Sequence, residues 1–402
     1  MLDVPCLTAE TLQEYAKRHT VCPFELGLDS SLWSDVIIGD YNYLFDPVVH
    51  LVRFFESAGD YIFLVDEAHN LPGRAREMHS AALTKTSFYE AKKLLGKGKS
   101  SLKNALTKVN DVFIEWRHRA EEETAARDGR FGKTFFLKER SEEFDHLLNR
   151  LCEPLEAWLD AHREPDETHT ALLQLYFDVR AWLRVADTFD DHFVLQITAS
   201  GSEVRAAQLC LDPSAFLADS FALGRAAVLF SATLAPASYY KDLCGVPEAR
   251  AVALRSPFPA GNQGLFCIGN VSTRYKDRDA SLAIVEESLA TMVRARCGNY
   301  LAFFPSYAYM EQAYAQFKEH CPEINCIKQE NAMDEQQKAA FLAQFVPGPS
   351  QTLLGFAVMG GVFGEGVDLT GDRLIGVGIV GPGLPQVGPR QEQLRDYFEQ
   401  TR

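Results

Sequence analysis

The chain is 402 residues long, 47% apolar and 24% charged, with a formal net charge of -15. That length allows two or three domains with real cores, and the apolar share excludes a disordered chain. The acidic balance excludes an overall basic coat, although a local cationic groove is compatible with it. Nine cysteines, most set singly in apolar surroundings (Cys152, Cys210, Cys244, Cys267, Cys297), read as reduced core thiols and not as a disulfide framework. The start of the chain lacks a basic stretch leading into an apolar run, and no run approaches the roughly 20 residues of a membrane span. A cytoplasmic chain with no membrane segment is expected.

Leu7, Leu12, Tyr15, Ala16 and His19 recur on a helical period with Thr8 as N-cap, and this short helix leads into Cys22-Pro23-Phe24-Glu25. Cys22, followed at once by proline, suits an iron–sulfur ligand or a buried free thiol; Cys6 is the one nearby cysteine, too few for a four-thiolate cluster. Asp35 to Ile38 reads as a buried strand entering the aromatic, amide-rich turn Tyr41-Asn42-Tyr43. Those side chains suit contact with a nucleic-acid backbone or stacking on bases, or simply packing beside the core. A helix with Val49, Val52, Arg53 and Phe54 then leads to Tyr61-Ile62-Phe63-Leu64-Val65, an apolar run closed by Asp66-Glu67-Ala68-His69. A buried parallel strand delivers acids in this way to the carboxyl edge of an α/β sheet, the usual ligand position. Asp66 would hold magnesium directly or through water, and Glu67 would orient or deprotonate a water attacking a γ-phosphate. Alone, the pair reads equally well as an acidic cap on a helix starting near Asn70.

From about 85 to 190 strand-like runs give way to amphipathic helices, for example Leu147, Leu151, Leu155 and Leu159, then Leu172, Tyr176, Val179 and Leu183. Lys138, Arg140, Arg180 and Arg184 lie in this stretch, as backbone contacts or, more simply, as a solvated face. Gly96-Lys97-Gly98-Lys99-Ser100 is not a phosphate loop: Lys93 stands where its first glycine belongs, and Ala91 to Leu95 reads as helix where a strand is needed. Strands return with Phe193 to Thr198 and Ala206 to Leu211, and then with Ala226 to Phe230, which ends in Ser231-Ala232-Thr233. Two hydroxyls at the sheet edge suit relay of nucleotide state, or an ordinary turn. From about 245 a second α/β unit begins. Its strand Tyr300 to Phe304 breaks at Pro305-Ser306-Tyr307, a short strand covers Asn325 to Lys328, and Thr352 to Val358 opens into a glycine-rich loop holding Glu365, Gly366 and Asp368. Such a loop lets backbone approach a ligand closely.

Taken together, Asp-Glu-Ala-His, the helical insertion, Phe-Ser-Ala-Thr-Leu, Phe-Phe-Pro-Ser-Tyr and Gly-Val-Phe-Gly-Glu-Gly-Val-Asp resemble, in that order, the iron–sulfur branch of superfamily 2 helicases, the XPD/DinG family. The resemblance covers essentially the whole chain. It implies an α/β protein with two RecA-like P-loop NTPase-type domains, each incomplete here, and an α-helical arch inserted in the first. The implied boundaries are 1–84, an insertion over 85–190, a return to the first motor domain over 191–244, and a second motor domain over 245–402. It further implies a DEAH-box DNA helicase of the DNA-repair type that uses ATP and Mg2+ to move 5′ to 3′ along single-stranded DNA, as a monomer. Asp66, Glu67 and His69 match motif II. Ser231 and Thr233 match motif III; Glu365, Gly366 and Asp368 match motif V. Tyr41, Asn42, Tyr43, Pro305 and Ser306 fall to nucleic acid, and Cys22 matches the last of four 4Fe-4S cysteines.

Three departures qualify that transfer. No Walker A loop is present to cradle the β- and γ-phosphates, and no Gln-x-x-Gly-Arg-x-x-Arg supplies arginines for transferring charge; in Gln386-Val387-Gly388-Pro389-Arg390 a proline stands where that motif has arginine. Cys6 lies too near Cys22 to match the family's third cysteine. Gly364, where serine is common, is milder. An internal portion of a longer helicase, inactive as given, is therefore expected; the alternative is a non-enzymatic remnant that binds DNA or a partner, and an unrelated nucleotide phosphatase is disfavoured by the paired α/β units.

Overall fold

The computed structural model describes residues 6–98, 100–126, 132–364, 366–384 and 388–401. Two compact units divide the chain: Met1–Ala253 with Gly388–Arg402, and Leu254–Val387. Among the described residues the strands are β1 (Ile62–Val65), β2 (Ala81–Thr84), β3 (Lys133–Leu137), β4 (Phe193–Ser200), β5 (Glu203–Cys210), β6 (Ala226–Leu229), β7 (Asn299–Phe304), β8 (Asn325–Lys328), β9 (Leu353–Val358) and β10 (Gly376–Ile379).

In the first unit β1 and β6 pair in parallel, Val65 opposite Leu229. Side chains alternate across this pair. Val65, with Phe63, Ala227 and Leu229, packs on a core of Phe45, Ala68, Leu71, Ala75, Leu217 and Phe221. The opposite face is open, with Ile62 63% and Leu64 68% exposed. The expected strand Asp35 to Ile38 does not form. Val36, Ile37 and Ile38 are exposed and unpaired with β1 or β6, so the run has the composition of a strand without a neighbour to complete its ladder.

The insertion differs from expectation in kind. It is not wholly helical: β2, β5, β4 and β3 form an antiparallel sheet in that order, and β4 and β5 belong to it and not to the β1–β6 pair. Two eight-residue strands, β4 and β5, meet at the turn Gly201-Ser202, where Gly201 takes φ 60°. A two-residue connection needs that left-handed geometry, which glycine adopts at no steric cost. One face of the sheet carries Leu195, Ile197, Val204 and Ala206 into a core built with the long helices Ser101–Ala126, Glu142–Ala161 and Glu167–Thr188. Its centre is aromatic, with Phe144 5.4 Å from both Phe113 and Trp182. Arg140 is tied into this body, donating to the Ala186 carbonyl at 2.9 Å, with its guanidinium half-exposed. The other sheet face, through Val194, Ala207, Leu209 and Leu211, meets Leu394 and Tyr397 of the helix Pro389–Thr401.

The second unit holds a four-stranded parallel sheet in the order β10-β7-β9-β8. All six residues of β9 are buried, as a parallel strand covered on both faces requires. Tyr300, Ala302 and Phe304 face the helices Arg278–Ala295 and Tyr307–His320, while Leu301 faces Phe341, Phe345 and Phe363. Connections leave β7 and β9 in opposite directions, which places a topological switch point between Pro305-Ser306 and Met359-Gly360 at the carboxyl edge.

Candidate functional site

The carboxyl end of β1 turns sharply through Glu67, a non-glycine residue at φ 45°, ψ 41°. Left-handed backbone costs a residue with a Cβ about 1–2 kcal/mol, so the surroundings must hold it. They do so from three sides. Glu67 N donates to Asp66 Oδ1 at 2.7 Å. Phe230 N donates to the Val65 carbonyl at 3.0 Å and Ala68 N to the Phe230 carbonyl at 3.1 Å, stitching the turn to the end of β6. The Tyr41 hydroxyl donates to the Asp66 carbonyl. Burial, then the charges of Asp66 and Glu67, push the Tyr41 phenol above its ordinary value, so it keeps the proton it donates.

Ser231, just past β6, joins the acids to the second strand. Its Oγ lies 2.8 Å from His69 Nδ1 and donates to Glu67 Oε2 at 3.3 Å. Thr233 N donates back to Ser231 Oγ at 3.2 Å. Motif residues separated by more than 160 positions thus share one hydrogen-bonded group: Asp66, Glu67 and His69 from β1, Ser231 and Thr233 from β6. Asp66 and Glu67 remain open to solvent. Exposed carboxylate and hydroxyl oxygens are hard donors that suit magnesium, which takes one or two carboxylates and completes its shell with water and phosphate oxygens. Chemically the group can hold a hydrated divalent cation and orient a water beside it.

The other expected positions are spread more widely. Tyr41 belongs to the acid turn. Asn42 opens the short helix Asn42–Phe45, its N donating to Asp40 Oδ1 at 3.0 Å, and Tyr43 is solvent-exposed on that helix. In the second unit Pro305 and Ser306 follow β7, and Ser306 caps the helix Tyr307–His320 by accepting from Tyr309 N. Gly366 takes φ 71° in the loop after β9 and Asp368 is exposed there; Glu365 lies outside the described residues. Cys22 sits exposed at the start of the helix Pro23–Ser31, and Cys6 is exposed as well. Among the described residues no group of three or more His, Cys, Asp or Glu side chains could hold a metal, so the donors present do not fit a four-thiolate cluster. Likewise, among the described residues no helix is long and apolar enough to cross a membrane. The Gly96 to Ser100 stretch follows the helix Lys85–Leu94, not a strand; Lys99 lies outside the described residues.

The role of Tyr41 was not legible from the sequence. Its aromatic turn stood out, but nothing linear links it to an acid 25 residues away.

Family models match at both ends of the chain: DEAD_2 over residues 2–88 and the helicase C-terminal domain over residues 289–402. The ATP-dependent DNA helicase CHL1 of Coccidioides immitis is 22% identical over 94% of this chain and 49% of its own length. The XPD helicase subunit of the general transcription and DNA repair factor IIH of Schizosaccharomyces pombe is 24% identical over 98% of this chain and 61% of its own. A solved XPD helicase shares the fold at TM-score 0.57 and 17% identity, covering 97% of this chain and 66% of that one. An XPD structure without ligand gives 0.55 at 18% identity, over 94% of this chain and 73% of that one. The chain thus spans about half to three fifths of the length of these curated relatives.

Fold and matched models define the class, proteins with RecA-like domains that carry the DEAD_2 and helicase C-terminal families. Within that class the chain belongs to the XPD/DinG-like branch of superfamily 2.

Proposed function

We propose that the chain carries the hydrolytic and coupling part of an ATP-driven motor that moves 5′ to 3′ along single-stranded DNA, and that these 402 residues alone turn over ATP poorly. The observation that carries the reading is the acid turn closed onto Ser231 at the ends of β1 and β6. Asp66 is the residue that would hold magnesium, which when bound neutralises charge on the phosphates. Glu67 orients the attacking water and takes its proton. Because Glu67 is hydrogen-bonded to Ser231, any movement of the segment after β6 re-aims the base. Ser231 and Thr233 are therefore the coupling hydroxyls, and His69 steadies Ser231 from the other side. Glu365, Gly366 and Asp368 form a loop that reads nucleotide and strand in the second unit. Asn42, Tyr43, Pro305 and Ser306 touch the DNA. Nine free thiols support a reducing compartment, the cytoplasm.

Poor turnover follows from what the sequence lacks: no residues of the Walker A type cradle the β- and γ-phosphates. The same observation favours a second reading, a DNA- or partner-binding module without motor activity. ATP hydrolysis measured with and without single-stranded DNA tests the first. Turnover at the level of the Glu67→Gln variant is expected; robust DNA-stimulated turnover that Glu67→Gln abolishes would overturn the claim of poor activity. Single-strand binding that ignores nucleotide would favour the module.

A further inference from the structure

Arg278, the first residue of the helix Arg278–Ala295, lies beside Ser306 and against two tyrosine rings. Its Nη1 donates to Ser306 Oγ at 3.3 Å and its Nε to the Thr273 carbonyl at 3.4 Å. Its Cζ is 4.9 Å from the centre of the Tyr309 ring and 5.4 Å from that of Tyr275. Tyr309 is buried, whereas Tyr275 is 86% exposed. Helix stability does not explain this arginine, because a cation in the first turn opposes the helix dipole. Nor does ion pairing: the neighbouring carboxylate of Asp277 accepts from Ser272 at 2.7 Å, and among the described residues no carboxylate lies within 4 Å of the guanidinium. Core packing does not explain Tyr275 either, since nearly all of its ring faces water.

An arginine without a carboxylate on an acidic chain, a hydroxyl, and a flat exposed aromatic are the parts from which single-strand platforms are made: stacking for a base, a fixed cation for the adjoining phosphate. They stand at the carboxyl end of β7, beside the switch point of the second sheet. We propose that Tyr275 and Arg278 form a single-stranded DNA contact, Tyr275 stacking on a base and Arg278 engaging the next phosphate while holding Ser306 in place. This inference rests on the reading of the chain as a single-strand motor.

Fluorescence anisotropy of the full chain with a labelled oligothymidine of about 20 nucleotides, titrated at several salt concentrations, tests it. Tyr275→Ala is expected to weaken binding about tenfold with the salt slope unchanged. Arg278→Gln is expected to weaken binding and to lower the magnitude of the log–log salt slope by about 0.7, the share of one phosphate contact; Arg278→Lys keeps the slope. A merely structural arginine would not move that slope. If the parent chain binds and Tyr275→Ala and Arg278→Gln bind equally well, the contact is refuted and the motor reading stands. If the parent chain does not bind, the motor reading fails and this inference with it. Should Arg278→Gln not fold, the exposed Tyr275→Ala decides between these outcomes by itself.

Discussion

Asp145 offers a sharp test of how the insertion is held together. The residue is 6% exposed, in the first turn of the helix Glu142–Ala161, and its Oδ1 accepts from Trp182 Nε1 at 2.8 Å. Its other oxygen has only Arg140 Nη1 at 3.8 Å. Burial raises the Asp145 carboxyl above the usual carboxylate range, against the lowering by Trp182 and Arg140. A pair at that distance to a half-exposed arginine contributes about 0.5 kcal/mol, and the helix N-terminus a similar amount. The raised value means desolvation exceeds both. Asp145→Asn keeps an acceptor for Trp182 and removes the buried charge, so at pH 7 it should leave stability unchanged or raise it by up to about 1 kcal/mol. Asp145→Leu strands the indole N–H and should cost about 1–3 kcal/mol. Urea unfolding followed by tryptophan fluorescence reads this directly, because Trp116, Trp158 and Trp182 all lie in the insertion. The pH dependence has a fixed sign. With the folded value above the unfolded 3.8, the stability linked to protonated Asp145 is full below that pH and is lost as pH rises through the folded value. Asp145→Asn should abolish this dependence. An Asn variant that costs as much as the Leu variant would show instead that the Arg140 pair is the dominant interaction.

Gly245 stands at φ 67°, and an added Cβ would lie 2.1 Å from the Ser214 carbonyl oxygen, so Gly245→Ala should destabilise the first unit by about 3 kcal/mol, read as a lowered urea midpoint. Ser231→Ala removes the hydroxyl shared by His69 and Glu67; because Glu67 is half exposed and water can substitute, the same measurement should show a loss of about 1 kcal/mol. Of nine free thiols, exposed Cys6, Cys22, Cys267 and Cys297 should react quickly with a disulfide reagent at pH 8, whereas burial pushes Cys210 up to about 12 and Cys244 to about 11, leaving them inert until unfolding, and half-buried Cys326, also pushed to about 11, should react slowly in the folded chain. Those raised values also make stability fall as pH climbs above the ordinary thiol range, by up to about 1.4 kcal/mol per pH unit for each thiol.

Where burial on both faces wrote a continuous apolar run, as in Tyr300 to Phe304 and Leu353 to Val358, the strands were legible in the sequence. So was the acid turn, because Val65-Asp66 marks the point where an apolar strand reaches the sheet edge. The insertion was not. Ala81 to Thr84 and Lys133 to Leu137 are short and mixed in character, and they are strands only because β4 and β5 supply partners. The Gly201-Ser202 hairpin turn was the local signal that would have assigned β4 and β5 to each other. Conversely, Val36 to Ile38 had the composition of a strand and lacked the neighbour. Side-chain commitments such as Tyr41 to Asp66, or Arg140 to Ala186, join residues far apart in the chain and leave no trace in periodicity.

Glu67, His69, Ser231 and Thr233 meet at the ends of β1 and β6 in a sequence without a Walker A pattern, and equilibrium binding of a fluorescent ATP analogue with magnesium tests the proposal that these acids lack partners for the phosphates. The expected dissociation constant is weaker than about 1 mM and little changed by Asp66→Ala. Binding near about 1 μM that Asp66→Ala abolishes would mean that some group in these residues holds the phosphates after all.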